Sequence, residues 1–430
     1  MKLNYEDTCG VSRKEIENEG GKLLSIISEM KKSAKRNDYS DCFASINLPF
    51  DALMRENIKN LAKEYENKIN YIIVIGVGGS NLGTVAVYEA LLGKLYNIAH
   101  RKTKKPKILF ADTIDPDYVL YLKNIVESSL EKGENVLINY VSKSGSTIET
   151  TVNFEIFLGL LKKYREDYRD YVVVTTDKNS GLWHERKQNN FKILEVPKNV
   201  GGRFSVLSAV GLFSLSLVGI EIDKLLEGAG IMRDKCLNEN IFENPAALSA
   251  IVTYLYYKGG RNINVNFLFS SELESVGKWL KQLTGESLGK EKNIRGEKVN
   301  VGITPKIATT VDLHSMVQLY LAGPPDKFTN FVRIKNNENN VVIPSGNYAG
   351  KTLSEITNAI ISGVQESYKK RKIPFFDIVL DDISEVRIGE FLQFRMIETI
   401  FIAQLLEINP FDQPNIEEYK SEARRILAGK

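Results

Sequence analysis

The sequence predicts an α/β protein built on two mainly parallel sheets, with helices ahead of the first sheet and a helical arm at the end. Three observations carry this. Short, almost wholly apolar runs recur through residues 71–197 and again through 264–380, with helical patterns between them. The runs lack polar alternation, which suits strands covered on both faces, as in a parallel sheet under helices. The length of 430 residues also exceeds what one core usually serves, so two domains are expected.

In chain order, residues 1–65 read as a helical segment, from the apolar spacing in EIENEGGKLLSIISEM and DALMRENIKNLAKEY. A first domain over 66–200 follows from YIIVIGV (71–77), KILFAD (107–112), NVLINYV (135–141), YVVVTT (171–176) and FKILEVP (191–197). The uncharged stretch FSVLSAVGLFSLSLVGI (204–220) has 17 residues, the lower edge of a membrane span, and carries four serines and two glycines between Arg203 and Glu221. It is expected to be a helix buried inside the protein, and no membrane partner is expected. A second domain over 201–383 rests on NVNFLFS (264–270), FTNFVRIK (328–335), NVVIP (340–344) and PFFDIVL (374–380). The tail, 384–430, reads as two helices broken at INPFDQPN (408–415), where two prolines forbid continuity.

Composition narrows the function classes. A hydrophobic content of 43% and a charged content of 26% are those of a globular protein, and 57 basic against 54 acidic residues leave a net charge of +3. That balance lacks the basic footprint of a nucleic-acid binder, and KRNDYS (35–40) and HRKTKKPK (100–107) read as solvated loops. Cys9, Cys42 and Cys236 are odd in number and far apart, which argues for a reducing compartment. The histidines, His100, His184 and His314, form no metal-binding pattern. The amino terminus, MKLNYEDTCG, lacks the apolar core of a signal peptide, so a cytoplasmic location is expected.

Two strand-to-helix turns attract attention. After NVLINYV comes SKSGST, placing Ser142, Ser144, Ser146 and Thr147 around Lys143 and Gly145 at the start of a helix. The first amides of a helix point outward without internal partners, and hydroxyls add donors that fit phosphate oxygens. One hydroxyl would cap the helix; four favour a phosphate cradle, and hence a small phosphorylated metabolite. After the first strand, GVGGSNLG surrounds Ser80 with Gly76, Gly78, Gly79 and Gly83, but Asn81 breaks the dinucleotide fingerprint and no nucleotide P-loop is present. Arg203 in VGGRFSVLSAVG either meets an anion or bridges the domains. Gln282, Glu286 and Lys290 in KQLTGESLGK stand four residues apart, and taken alone read as an ordinary surface face.

Taken together, GVGGSNLG (76–83), SKSGSTIET (142–150), VGGRFSVLSAVG (200–211), KQLTGESLGK (281–290), DLHSMVQ (312–318) and NPFDQPNIEEYK (409–420) resemble glucose-6-phosphate isomerases, in that family's order and in its compact bacterial form. The resemblance implies two sugar-isomerase (SIS) domains, each an α/β/α sandwich, and no metal or organic cofactor. It implies interconversion of D-glucose 6-phosphate and D-fructose 6-phosphate in glycolysis and gluconeogenesis, in a homodimer whose site takes His314 from the neighbouring subunit. It assigns Glu286 as the base and acid between C2 and C1, His314 to ring opening, Lys420 to that step or to substrate contact, and Arg203 to the enediolate. Ser142, Lys143, Ser144 and Thr147 match the phosphate loop, and Gly79, Ser80, Gln282 and Gln413 further substrate contacts.

Two positions depart from the pattern. Asn415 stands where glycine is common, and as asparagine it tolerates a left-handed backbone. Lys198 replaces a polar or acidic residue. The implied chemistry is coherent: one carboxylate over adjacent carbons can remove a proton and return it next door, a fixed cation stabilises the enediolate, and a histidine suits proton transfer at the sugar oxygens. Two rival readings are a non-catalytic SIS-type sugar-phosphate sensor and an isomerase that also accepts mannose 6-phosphate. The presence of both Glu286 and His314 speaks against the first.

Overall fold

The computed structural model describes residues 1–99, 104–145, 147–337 and 339–429; His100, residues 101–103 of the basic run and Ser146 lie outside the described residues. The chain opens with a short strand, β1 (Lys2–Asn4), and the helices Arg13–Gly20, Leu24–Arg36 and Ala52–Tyr65. The first of these begins at a reciprocal cap between Ser12 and Glu15.

The first sheet contains β2 (Tyr71–Ile75), β3 (Lys107–Ala111), β4 (Val136–Val141), β5 (Val172–Thr176) and β6 (Lys192–Glu195), all parallel, in the order β3-β2-β4-β5-β6. Their unbroken apolar runs are explained by cover on both faces. Ile72 and Val74 enter one hydrophobic cluster and Ile73 and Ile75 another. Asn139, buried in the middle of β4, is satisfied on both sides: it donates to Ser214 Oγ at 2.8 Å and accepts from Thr175 Oγ1 at 3.1 Å. One serine of the uncharged stretch 204–220 is thus the partner of a buried strand amide.

That stretch is a shorter helix than its composition predicts. Only Ala209–Leu217 is α-helical, and Gly202–Phe204 forms a 3₁₀ turn before it. Ser208 accepts from Val210 N–H at 3.2 Å and starts the helix there. Among the described residues no helix is long and apolar enough to cross a membrane.

The second sheet is built from β7 (Ile263–Leu268), β10 (Thr304–Thr309), β11 (Lys327–Ile334), β12 (Phe375–Leu380) and β1, and a small antiparallel hairpin of β8 (Lys290–Lys292) and β9 (Lys298–Val301) lies between β7 and β10 in the chain. Its order is β1-β12-β11-β7-β10, with only β1 antiparallel. Two of these strands escape a reading based on apolar runs. β1 is three polar-flanked residues, and β10 is an edge strand with Pro305 and alternating exposure.

The expected strand NVVIP is absent: Val342 makes a single isolated bridge to Thr352. The segment instead closes on itself through Ile343 N–H to Lys351 O at 2.8 Å and Leu353 N–H to Val341 O at 2.9 Å. The helix Glu385–Leu405, buried on nearly every side, lies in the core cluster that joins the inner faces of both sheets. Its buried Arg395 is paired with Glu398 at 2.7 Å. The tail then breaks over residues 406–415 and ends in the helix Ile416–Leu427, as the two prolines predict.

Candidate active site

Strand order dictates where a ligand should lie. From β2 the chain crosses to β3 on one side, whereas β4 lies on the other, so the turns after β2 and β4 flank the point where the winding reverses. These are the glycine-rich turn 76–80 and the hydroxyl-rich turn 142–147. They open on a cavity of about 840 Å³, walled also by the turn after β5, by Lys198 and Arg203, by the helix Glu274–Leu288, and by the arm after Pro410.

Close packing explains the glycines. A Cβ on Gly79 would stand 2.3 Å from the Gly202 carbonyl carbon and 2.6 Å from Arg203 N, so the glycine-rich turn meets the turn Gly202–Phe204 backbone to backbone. Gly145 has φ +71°, and a Cβ there would strike Leu182 at 2.6 Å. Between them Ser142 is buried and accepts from Gly145 N–H at 3.2 Å. Thr147 is the N-cap residue of the helix Ile148–Tyr164, yet its hydroxyl makes no capping bond. The purely structural use of that hydroxyl is therefore not realised. Lys143 donates to Val200 O at 2.9 Å, tying the turn to the strand of chain that leads into Arg203. Burial holds the Lys143 ammonium below the ordinary lysine value; the Lys198 charge adds to this and Asp177 opposes it.

Opposite the turn stands Glu286, near the end of the helix Glu274–Leu288. Its Oε2 accepts from Arg203 Nη1 at 3.2 Å and its Oε1 from Gln282 Nε2 at 3.0 Å, one helical turn back. The carboxylate is 27% exposed and the guanidinium side chain 3%. All five guanidinium N–H groups of Arg203 are engaged. Nε donates to Ser287 Oγ at 2.7 Å, Nη1 also to Gln413 Oε1 at 2.9 Å, and Nη2 to Pro410 O and to Asp412 O, the latter at 3.2 Å. Burial pulls this cation below its ordinary value, and Glu286 followed by Asp412 counteracts it. Such a site holds one carboxylate in a fixed direction in a cavity lined by hydroxyls, an arrangement capable of proton transfer.

Sequence comparison agrees with this geometry. The phosphoglucose isomerase family model matches residues 59–429. The chain belongs to the phosphoglucose isomerase family. It is 36% identical over 382 residues to a glucose-6-phosphate isomerase of Carboxydothermus hydrogenoformans, covering 86% of this chain and 81% of that one. Among solved structures it is similar to a hypothetical protein from Thermus thermophilus, with TM-score 0.86, 29% identity and 99% of each chain covered. It shares the fold of a glucose-6-phosphate isomerase from Chlamydia trachomatis, with TM-score 0.84, 22% identity, 99% of this chain and 88% of that one covered.

Seen as a phosphoglucose isomerase family site, the cavity gathers nearly every residue singled out from the sequence. Gly79 and Ser80, then Ser142, Lys143, Ser144 and Thr147, and finally Arg203, Gln282, Glu286, Gln413 and Lys420 all line it. His314 does not. It lies exposed just after the turn Thr310–Leu313, beyond the carboxyl end of β10. Glu286 lies twelve residues along the helix that starts at Glu274, a rise of about 18 Å.

The surface-face reading of 282–290 is corrected: Gln282 and Glu286 face the cavity, and Lys290 is buried. Asn415 has φ −75° and ψ −13°, an ordinary right-handed conformation, so no left-handed turn is needed there. Sequence reasoning missed Asp177, Asn179 and Ser180, which line the cavity from the turn after β5. The signal was the position itself, since this turn follows the strand next to β4.

Proposed function

We propose that this protein interconverts D-glucose 6-phosphate and D-fructose 6-phosphate through a cis-enediolate. Family membership supports the reaction, and one observation carries its assignment to residues: Glu286, braced by Arg203 and Gln282, and the hydroxyl-rich turn 142–147 open on the same cavity. In this reading Ser142, Lys143, Ser144 and Thr147 hold the phosphate, which orients the reacting carbons at a distance. Glu286 takes the proton from C2 of the open-chain aldose and returns it to C1, while a hydroxyl proton passes from O2 to O1. Arg203 keeps the carboxylate in place and lends positive potential to the enediolate. Lys420 and Gln413 contact the sugar. His314 opens the ring from the neighbouring subunit of a homodimer, in keeping with its exposed position away from its own chain's cavity. The setting is cytoplasmic sugar-phosphate metabolism.

The test is a coupled assay of the pure protein on glucose, mannose and fructose 6-phosphates, repeated with Glu286→Gln. Turnover between the glucose and fructose esters that vanishes in the variant, while sugar-phosphate binding persists, is the expected result. Ordinary kcat in Glu286→Gln removes Glu286 as the base. Equal turnover of mannose 6-phosphate widens the substrate range.

A further inference from the structure

The arm that brings Gln413 and Lys420 to the cavity cannot position itself. Its helix, Ile416–Leu427, has no buried residue, so packing of its own side chains does not fix where Lys420 lies. The placement must come from the segment before it, and there two buried cations converge. Arg203 holds Pro410 O, Asp412 O and Gln413 Oε1. Lys290, 8% exposed, holds the same segment from the other side: its Nζ donates to Asp412 O at 2.6 Å and pairs with Asp412 Oδ1 at 3.0 Å.

The third Lys290 bond goes to Glu286 O at 2.9 Å. The last carbonyls of a helix lack intrahelical partners, and a lysine there both satisfies one of them and complements the negative end of the helix. The three ammonium donors of Lys290 are therefore divided between the backbone of the proposed base and the root of the arm. Asp412 O is shared by Lys290 and Arg203, making it the node at which the two braces meet.

We propose that Lys290 is a positioning residue for the isomerisation, a buried clamp that locks the end of the helix carrying Glu286 to the arm carrying Gln413 and Lys420. This rests on the isomerase reading of the site. Lys290 does not line the cavity wall of the phosphate turn, so it governs alignment of the reacting groups rather than capture of the phosphate.

The experiment compares wild type with Lys290→Met, Lys290→Arg and Glu286→Gln. It measures kcat and KM for fructose 6-phosphate, global unfolding, and protease or amide-exchange protection of residues 410–427. Lys290→Met should lower kcat about 10- to 100-fold with KM changed less than about threefold, because misplacement of reacting groups by about 1 Å costs on that scale. Protection of 410–427 should fall while the rest of the chain stays protected, and Lys290→Arg should restore most of both.

If Lys290→Met does not yield folded protein, Asp412→Ala removes only a half-exposed carboxylate from the same clamp and should show the same loss of arm protection with a smaller drop in kcat. Wild-type kcat and arm protection in a folded Lys290→Met, or a fall in kcat with the arm still protected and no rescue by arginine, overturns the proposal. An inactive Glu286→Gln beside an unaffected Lys290→Met sinks the clamp alone, whereas an active Glu286→Gln sinks the isomerase assignment beneath it.

Discussion

Arg203 Nη1 lies 3.2 Å from Glu286 Oε2, joining a residue that follows the first sheet to one that follows the second sheet's first parallel strand. The pair is asymmetric: the guanidinium is buried with every donor committed, while the carboxylate keeps one side toward the cavity. The arginine is thus a fixed frame for the carboxylate. It also ties the stretch that follows the first sheet to the helix Glu274–Leu288 and to the arm at Pro410, Asp412 and Gln413.

Replacing Arg203 by lysine keeps the charge and loses the fork. The carbonyls of Pro410 and Asp412 and the Gln413 amide cannot all be reached by one ammonium. Arg203→Lys should lose about 2–4 kcal/mol of unfolding free energy, from buried acceptors left without donors, and kcat should fall with it. Denaturant unfolding reads the first quantity; a loss below about 0.5 kcal/mol would show that the fork is dispensable.

Ser144→Ala together with Thr147→Ala tests the phosphate cradle. Hydrogen bonds to a charged group contribute about 1.5–3 kcal/mol each, so losing both should raise KM for the sugar phosphates by at least about 100-fold, with kcat moving less. Since Thr147 makes no capping bond, helix stability should hardly change. An unchanged KM would leave these hydroxyls without a role in binding.

Lys143 gives the site a pH dependence of definite sign. Burial foremost, then the neighbouring Lys198 charge, favours the neutral amine, so Lys143 loses its proton at lower pH than an ordinary lysine. A phosphate dianion binds the ammonium form better. KM should therefore climb as pH rises through this depressed value, and Lys143→Arg, which stays charged, should flatten the rise. Steady-state kinetics across the alkaline range measures it; a KM profile identical in both proteins excludes Lys143 from the phosphate site.

The exposed His314 calls for a complementation test. His314→Ala and Glu286→Gln should each be nearly inactive alone. Unfolded and refolded together as a homodimer, they should regain about a quarter of wild-type activity, because half of the dimers are mixed and each mixed dimer holds one intact site. Failure to regain activity, with mixed dimers verified by mass, would place the histidine's contribution within its own chain or nowhere.

The sequence by itself determined the parallel strands, the glycine and serine turns at their ends, and the break in the tail. These are local matters: an unbroken run such as YIIVI declares cover on both faces, and Pro410 and Pro414 forbid a helix that runs through both. It also placed the hydroxyl-rich turn at the end of a parallel strand, where such folds bind ligands.

Tertiary structure decided the rest. Whether Thr304–Thr309 is a strand depends on the edge of β7 it can reach, and 340–344 is drawn instead onto 350–353, neither of which is written in either segment. Lys290 looked like a surface residue at helical spacing. Only the folded chain, by bringing Asp412 within 3.0 Å of its ammonium, makes its burial stable. A buried charge is stable where distant residues supply its partners, and partnership across 122 residues is a property of the fold.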